Sequence, residues 1–188
     1  SVNLEKHLAA DDVLSRYPRF VHPHRHLDTV AGRIARRLMT DERLMSVVTE
    51  LVGPVYGAQS MFYFKPPTAR GQALHQDNLF LQAHPETCLA AWIAIDDCDG
   101  ENGGLIVVPG SHRNGFSEYE AVDSARNTFD RQIKDVDESQ AVYFELAAGE
   151  CSLHDSRIMH GAAANTSPRR RCGYTMRYFA TDAKVDPV

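Results

Sequence analysis

Four cysteines in 188 residues, with no CxxC pair among them, give this sequence neither a zinc-ribbon signature nor a disulfide framework. Cys88, Cys98, Cys151 and Cys172 are therefore expected as reduced thiols of an intracellular protein, filling space as small apolar side chains. Long apolar runs are also missing. The longest, Leu89 to Ile95, falls far short of the ~20 residues of a membrane span, so no membrane partner is expected. The opening SVNLEKHLAADD has no signal-peptide apolar region, which makes the cytoplasm the expected compartment. A first residue of Ser rather than Met points to a processed or trimmed chain. There is no excess of basic residues: 20 Lys+Arg against 25 Asp+Glu gives a net charge of −5. That balance argues against a nucleic-acid partner while leaving room for one local basic pocket.

What is present is an ordinary globular composition, 43% hydrophobic and 9% aromatic. A chain of this length buries roughly 70% of its unfolded surface and needs neither disulfides nor a structural metal to fold, so a metal here would serve chemistry. One domain over 1–188 is expected, with a helical flank at 1–54 and a core at 55–180. In the flank, Val30, Ile34 and Leu38 recur at four-residue steps, and Leu44, Val47, Val48 and Leu51 follow at steps of three and four. The pattern predicts two short helices, with Asp28 and Thr40 as N-caps and Gly53-Pro54 closing the second.

Beyond Pro54 short β-branched and aromatic runs alternate with turn residues. Strands are predicted near 55–65, 73–80, 87–96, 104–108, 141–146, 149–154 and 170–180. Strands this short without helical crossovers predict a mainly β fold, an antiparallel sandwich or barrel of the jelly-roll kind. The polar segment 115–140 is long for a compact domain and is expected to be a functional lid, a mobile loop or an inert surface excursion.

The placement of the nine histidines separates candidate ligands from filler. His75 and Asp77, in ALHQDNLF, are two residues apart in a predicted strand, so both side chains point to one face. A third ligand is best supplied by His160 in IMHGAAANTS, with His154 as runner-up. Two imidazoles and a carboxylate on one face of an octahedral iron leave three positions open, two for a chelating cosubstrate and one for oxygen. His84-Pro85-Glu86 is assigned to a turn because its proline cannot donate to a sheet ladder. His22, His24 and His26 are read as loop or substrate-pocket residues, and His112 as part of a turn or pocket rim. An arginine of the run Arg169-Arg170-Arg171 projecting inward would offer a two-pronged contact to a carboxylate near the metal. Alternation along the strand puts Arg171 on a face with Gly173 and Thr175, and Arg170 on the other.

QSMFYFKPP (59–67), LHQDN (74–78), AAWIAIDDCDGENGGLIVVPGSH (90–112) and HGAAANTSPRRR (160–171) together resemble the phytanoyl-CoA dioxygenase family of iron(II)- and 2-oxoglutarate-dependent oxygenases. The resemblance implies a double-stranded β-helix, the cupin-like jelly roll, with iron bound by His75, Asp77 and His160. It implies that Arg171 anchors the far carboxylate of 2-oxoglutarate and that Trp92, Met61 and Gln59 fall where relatives contact that cosubstrate. Ala162 stands where relatives often carry a serine that hydrogen-bonds it. The implied reaction uses O2 and hydroxylates an unactivated carbon of a small-molecule substrate, releasing succinate and carbon dioxide. Desaturation or another oxidation, and a non-catalytic metal-binding jelly-roll module, are the alternatives. Iron halogenases of this general type carry a small residue in place of the carboxylate, and Asp77 argues against that outcome. The sequence leaves the substrate's identity and the oligomeric state open.

Overall fold

The computed structural model describes residues 12–123 and 125–185 and has the mainly β jelly-roll architecture expected from the sequence. Two antiparallel sheets carry the site. The larger runs in the order Phe20–Val21, Val55–Tyr63, Gly173–Ala180, Leu89–Ala94, Cys151–Asp155; the smaller runs Gln72–His75, His160–Ala162, Leu105–Val107, Val142–Tyr143. Strand ends lie within a few residues of expectation, with three differences that matter.

The strand expected at 73–80 stops at His75, and Asp77–Leu79 is a turn of 3-10 helix. The flank is not purely helical either, because Phe20–Val21 pairs with the edge of Val55–Tyr63. Within the segment 115–140, Tyr119–Ala121 and Arg131–Ile133 form a hairpin, Glu138–Gln140 is a 3-10 turn, and Ile133 is fully buried.

The two expected helices are Val30–Met39 and Glu42–Val52, each capped one residue later than predicted. Thr29 Oγ1 accepts from the Gly32 N–H, and Asp41 Oδ1 from the Arg43 N–H. Asp28 lies too far from the first turn to reach those orphan donors, and Thr40 closes the first helix instead. Of the cysteines, Cys88, Cys98 and Cys172 are buried, Cys151 is exposed, and none is paired. Among the described residues no helix is long and apolar enough to cross a membrane.

The Gly173–Ala180 strand sorts its side chains by alternation. Tyr174, Met176 and Tyr178 face outward and join Ala35, Met39 and Val48 of the helices in the main apolar cluster. Both tyrosines keep their hydroxyls satisfied there: Tyr174 Oη donates to Ala35 O at 3.0 Å and Tyr178 Oη to Met39 O at 2.8 Å. Gly173, Thr175 and Arg177 face the other way, toward the smaller sheet. Gly173 lies beneath the indole of Trp92, and a Cβ added there would sit 2.2 Å from Trp92 Cζ2.

Gly173→Ala is therefore expected to displace the protein's only tryptophan and to lower stability by about 1–3 kcal/mol. Urea unfolding followed by Trp92 emission reads both effects; an unshifted native spectrum with an unchanged midpoint would contradict the packing described.

Candidate active site

His75 ends its strand and His160 begins the next, and the two are direct cross-strand partners. Their rings lie with centroids 4.2 Å apart. Each Nδ1 faces a backbone carbonyl, His75 that of Ala73 at 2.9 Å and His160 that of Ile158 at 3.0 Å. A carbonyl only accepts, so Nδ1 carries the proton and each Nε2 presents a lone pair.

Those two Nε2 atoms converge on Asp77. Oδ1 lies 3.8 Å from His75 Nε2 and 3.6 Å from His160 Nε2, and one ligand atom from each of the three residues falls within 4.8 Å of the others. The sequence argument put Asp77 on the face of His75 by strand alternation. In the structure Gln76 keeps an extended backbone (φ −111°, ψ 135°), so the two side chains still converge although Asp77 itself has left the strand.

All three residues are buried. Desolvation, then the nearby His160, holds the His75 imidazole neutral, its pKa lowered to about 3. Burial by itself would push the Asp77 carboxyl up, but the charge and hydrogen bonds of Arg177 hold it well below the usual carboxylate range. Arg177 Nε donates to Asp77 Oδ2 at 2.8 Å and Nη2 to Oδ1 at 2.5 Å, while Nη1 donates to Gln59 Oε1 at 3.1 Å. The donor set of two imidazoles, each with Nδ1 turned to a carbonyl, and one ionised carboxylate fits a six-coordinate iron(II) with open positions.

Sequence reasoning missed Arg177, which continuing the inward alternation of Arg171, Gly173 and Thr175 by one more step would have found. Gln59, expected at the cosubstrate, accepts a hydrogen bond from Arg177. Met61 is buried beside Thr175, its cross-strand partner.

Arg171 is 4% exposed and donates through Nε and Nη2 to Gly103 O at 3.1 and 2.6 Å. Its guanidinium lies 5.3 Å from the centre of the Trp92 ring. Arg169 and Arg170 are exposed and pair with Asp99 and Asp96. Lys65, also missed, is buried beside Arg171, whose N–H bonds the Lys65 carbonyl at 2.8 Å. Gly103 makes this close approach possible: its φ is +82° and a Cβ would sit 2.4 Å from Lys65 Cε. Burial, then the charge of Arg171, pushes the Lys65 amine well below its usual range. Among the described residues no carboxylate pairs with Lys65 or Arg171.

The 115–140 segment is fastened over the metal-ligand cluster. Gln76, between the two ligand candidates, donates from Nε2 to Gly115 O and Arg157 O and accepts from Ser117 N–H, while its own N–H reaches Tyr119 Oη. Phe129 stands edge-on to His75, centroids 4.7 Å apart.

The remaining histidines of the described residues lie elsewhere, apart from His154. His84 is exposed at the end of a two-residue strand, Ala83–His84, and His112 sits in the turn Ser111–Arg113. Among His22, His24 and His26, His24 is buried and hydrogen-bonded through Nδ1 to Ser60 Oγ. His154 falls outside the ligand cluster but lines the same cavity as His75, His160, Lys65 and Arg171. Ala162 lines that cavity too, with no hydroxyl to offer.

A sequence model of the phytanoyl-CoA dioxygenase (PhyH) family matches residues 9–173, and the chain belongs to that family. Phytanoyl-CoA dioxygenase 1 of rice (Oryza sativa subsp. japonica) is 32% identical over 125 residues, 66% of this chain and 44% of the rice protein. Phytanoyl-CoA dioxygenase domain-containing protein 1 of zebrafish (Danio rerio) is 34% identical over 143 residues, 72% of this chain and 48% of its own length. The chain thus spans less than half the length of these curated relatives. Among solved structures, EvdO2 from Micromonospora carbonacea var. aurantiaca, complexed with 2-oxoglutarate, has the same fold. It superposes with a TM-score of 0.69 at 22% identity, covering 91% of this chain and 69% of EvdO2.

Removing Arg177 would leave Asp77 a buried, uncompensated anion. Arg177→Met in chelator-treated protein is expected to cost about 3–5 kcal/mol in urea unfolding, and adding Asp77→Asn to recover most of it. An equal loss in the single and double variants would show that the ion pair is not what stabilises this region.

Proposed function

We propose that this chain is an iron(II)- and 2-oxoglutarate-dependent oxygenase that hydroxylates an unactivated carbon of a small organic molecule in the cytoplasm, releasing succinate and carbon dioxide. One observation carries the reading: two imidazoles with Nδ1 tied to backbone carbonyls turn their Nε2 atoms toward one arginine-held carboxylate oxygen.

His75, Asp77 and His160 would hold the iron. When bound, iron(II) and 2-oxoglutarate supply the oxygen-activating and electron-donating chemistry. The chain's own residues bind, orient and exclude water. Arg171, with Lys65 beside it, takes the far carboxylate of the cosubstrate, and Trp92 and Leu105 give the cavity an apolar wall. A buried guanidinium with a buried amine beside it, neither met by a carboxylate among the described residues, suits an incoming carboxylate, whose charge would also favour the protonated amine. Phe129 and the fastened segment around Gln76 screen His75 from solvent. A structural metal site would complete its coordination with protein ligands; the described cluster stops at three, which supports catalysis over a binding module.

Iron(II)-reconstituted protein is expected to hold one ion per chain, and His75→Ala or Asp77→Ala none. Metal analysis decides this, and iron retained in His75→Ala would refute the ligand assignment.

Arg171→Ala should raise the 2-oxoglutarate concentration for half-maximal succinate formation roughly thirty- to hundredfold, for loss of a charge-assisted contact in a buried pocket. Arg171→Lys should recover only part, while Arg169→Ala and Arg170→Ala should change little. Comparable damage from Arg170→Ala would reverse the inward and outward faces assigned here.

A further inference from the structure

The polar side chains around the metal-ligand cluster are almost all accounted for. Both candidate ligand histidines spend Nδ1 on carbonyls, Arg177 is shared between Asp77 and Gln59, Arg171 is held by Gly103, and Gln76 uses both ends of its amide. Asn78 and Ser152 are left over but line none of this cavity; the third is His154. It is 6% exposed, and neither Nδ1 nor Nε2 has a hydrogen-bond partner. A neutral imidazole carries one N–H donor and one acceptor, and leaving either buried and unmet costs about 1–3 kcal/mol.

The ring's position says what would meet it. His154 lies on the Cys151–Asp155 strand directly across from Ala90, and Ala90 is also the cross-strand partner of Arg177. One row of the larger sheet thus presents Arg177 to Asp77 and His154 to His160, whose rings lie with centroids 4.7 Å apart. The small side chain of Ala90 between them keeps this row open. His154 lines the cavity shared by the metal-ligand cluster and by Lys65 and Arg171, yet it is not among the three residues whose ligand atoms cluster. As a fourth protein ligand it would occupy a position that a chelating 2-oxo acid needs.

We propose that His154 is a positioning residue that donates a hydrogen bond to an oxygen at the metal-binding, 2-oxo acid end of the cosubstrate, opposite in role to Arg171 at the far carboxylate. This rests on the oxygenase reading above. The ligand class is a 2-oxo acid, since the carboxylate and keto oxygens of that group are acceptors and the described residues supply none to this ring. His154 then sets how the chelating end sits against His160, while the far end is held elsewhere.

The test is anaerobic titration of the iron(II)-loaded protein with 2-oxoglutarate, read by the visible charge-transfer absorption of an iron(II)–2-oxo acid chelate. His154→Phe keeps a ring of similar size and removes both nitrogens; His154→Gln keeps a donor. Both variants are expected to retain one iron per chain and the parent circular dichroism. His154→Phe should weaken 2-oxoglutarate binding about tenfold or more and shift the absorption band, and His154→Gln should recover part of both. Unchanged affinity and band position in His154→Phe would overturn the proposal and leave the oxygenase reading intact. Loss of iron from both variants would overturn it by making His154 part of the metal site itself. A parent protein that binds iron(II) but gives no chelate band at any 2-oxoglutarate concentration would overturn the cosubstrate reading, and this inference with it.

Discussion

A carboxylate taken out of water loses several kcal/mol of hydration unless a cation and hydrogen bonds replace it. Asp77, 2% exposed, is met on both oxygens by Arg177, and almost everything about the site follows from that pairing. Asp77 comes from the turn after the smaller sheet's edge strand, and Arg177 from the middle of the larger sheet. The pair therefore joins the two sheets across the cavity. It also leaves Oδ1 facing the two imidazoles, so the carboxylate is oriented by the protein rather than by whatever it holds.

Charge is distributed with the same economy. Arg157, Arg169 and Arg170 each have an aspartate within reach at or near the surface. Arg171, buried with Lys65 beside it, has a backbone carbonyl and an aromatic face for neighbours instead. A chain with a net charge of −5 thus concentrates positive potential in one interior spot, the local basic pocket that its overall balance left room for.

Much of the architecture was legible because it rests on alternation. The texture of short apolar runs identified the jelly roll, and the same period of two separated inward Arg171 from Arg170. What escaped were contacts that depend on three-dimensional neighbours. Arg177 sits in an apolar run, YTMRYFA, where nothing local says that a carboxylate waits across the cavity. Lys65 reads as one more cation near a turn until the backbone brings Arg171 beside it. The convergence of His75 and Asp77 was inferred from a strand that in fact ends at His75, and it survives because one extended residue, Gln76, preserves the direction. That residue looked like a spacer. Its amide instead ties down the segment 115–119, a role no spacing rule assigns.

The order of strands in the larger sheet has a consequence for how the molecule assembles. Gly173–Ala180, the last long strand in sequence, lies between Val55–Tyr63 and Leu89–Ala94, which precede it by about a hundred residues. During synthesis those two strands emerge with a gap between them that no earlier segment of the larger sheet fills. The sheet closes only when the late strand inserts, and pairing across so long a loop is slow. Arg177 arrives with that strand, so Asp77 stays without its counter-charge until the strand inserts. Closing the larger sheet and neutralising the buried carboxylate are thereby the same event, although the three candidate ligands themselves all come from earlier in the chain.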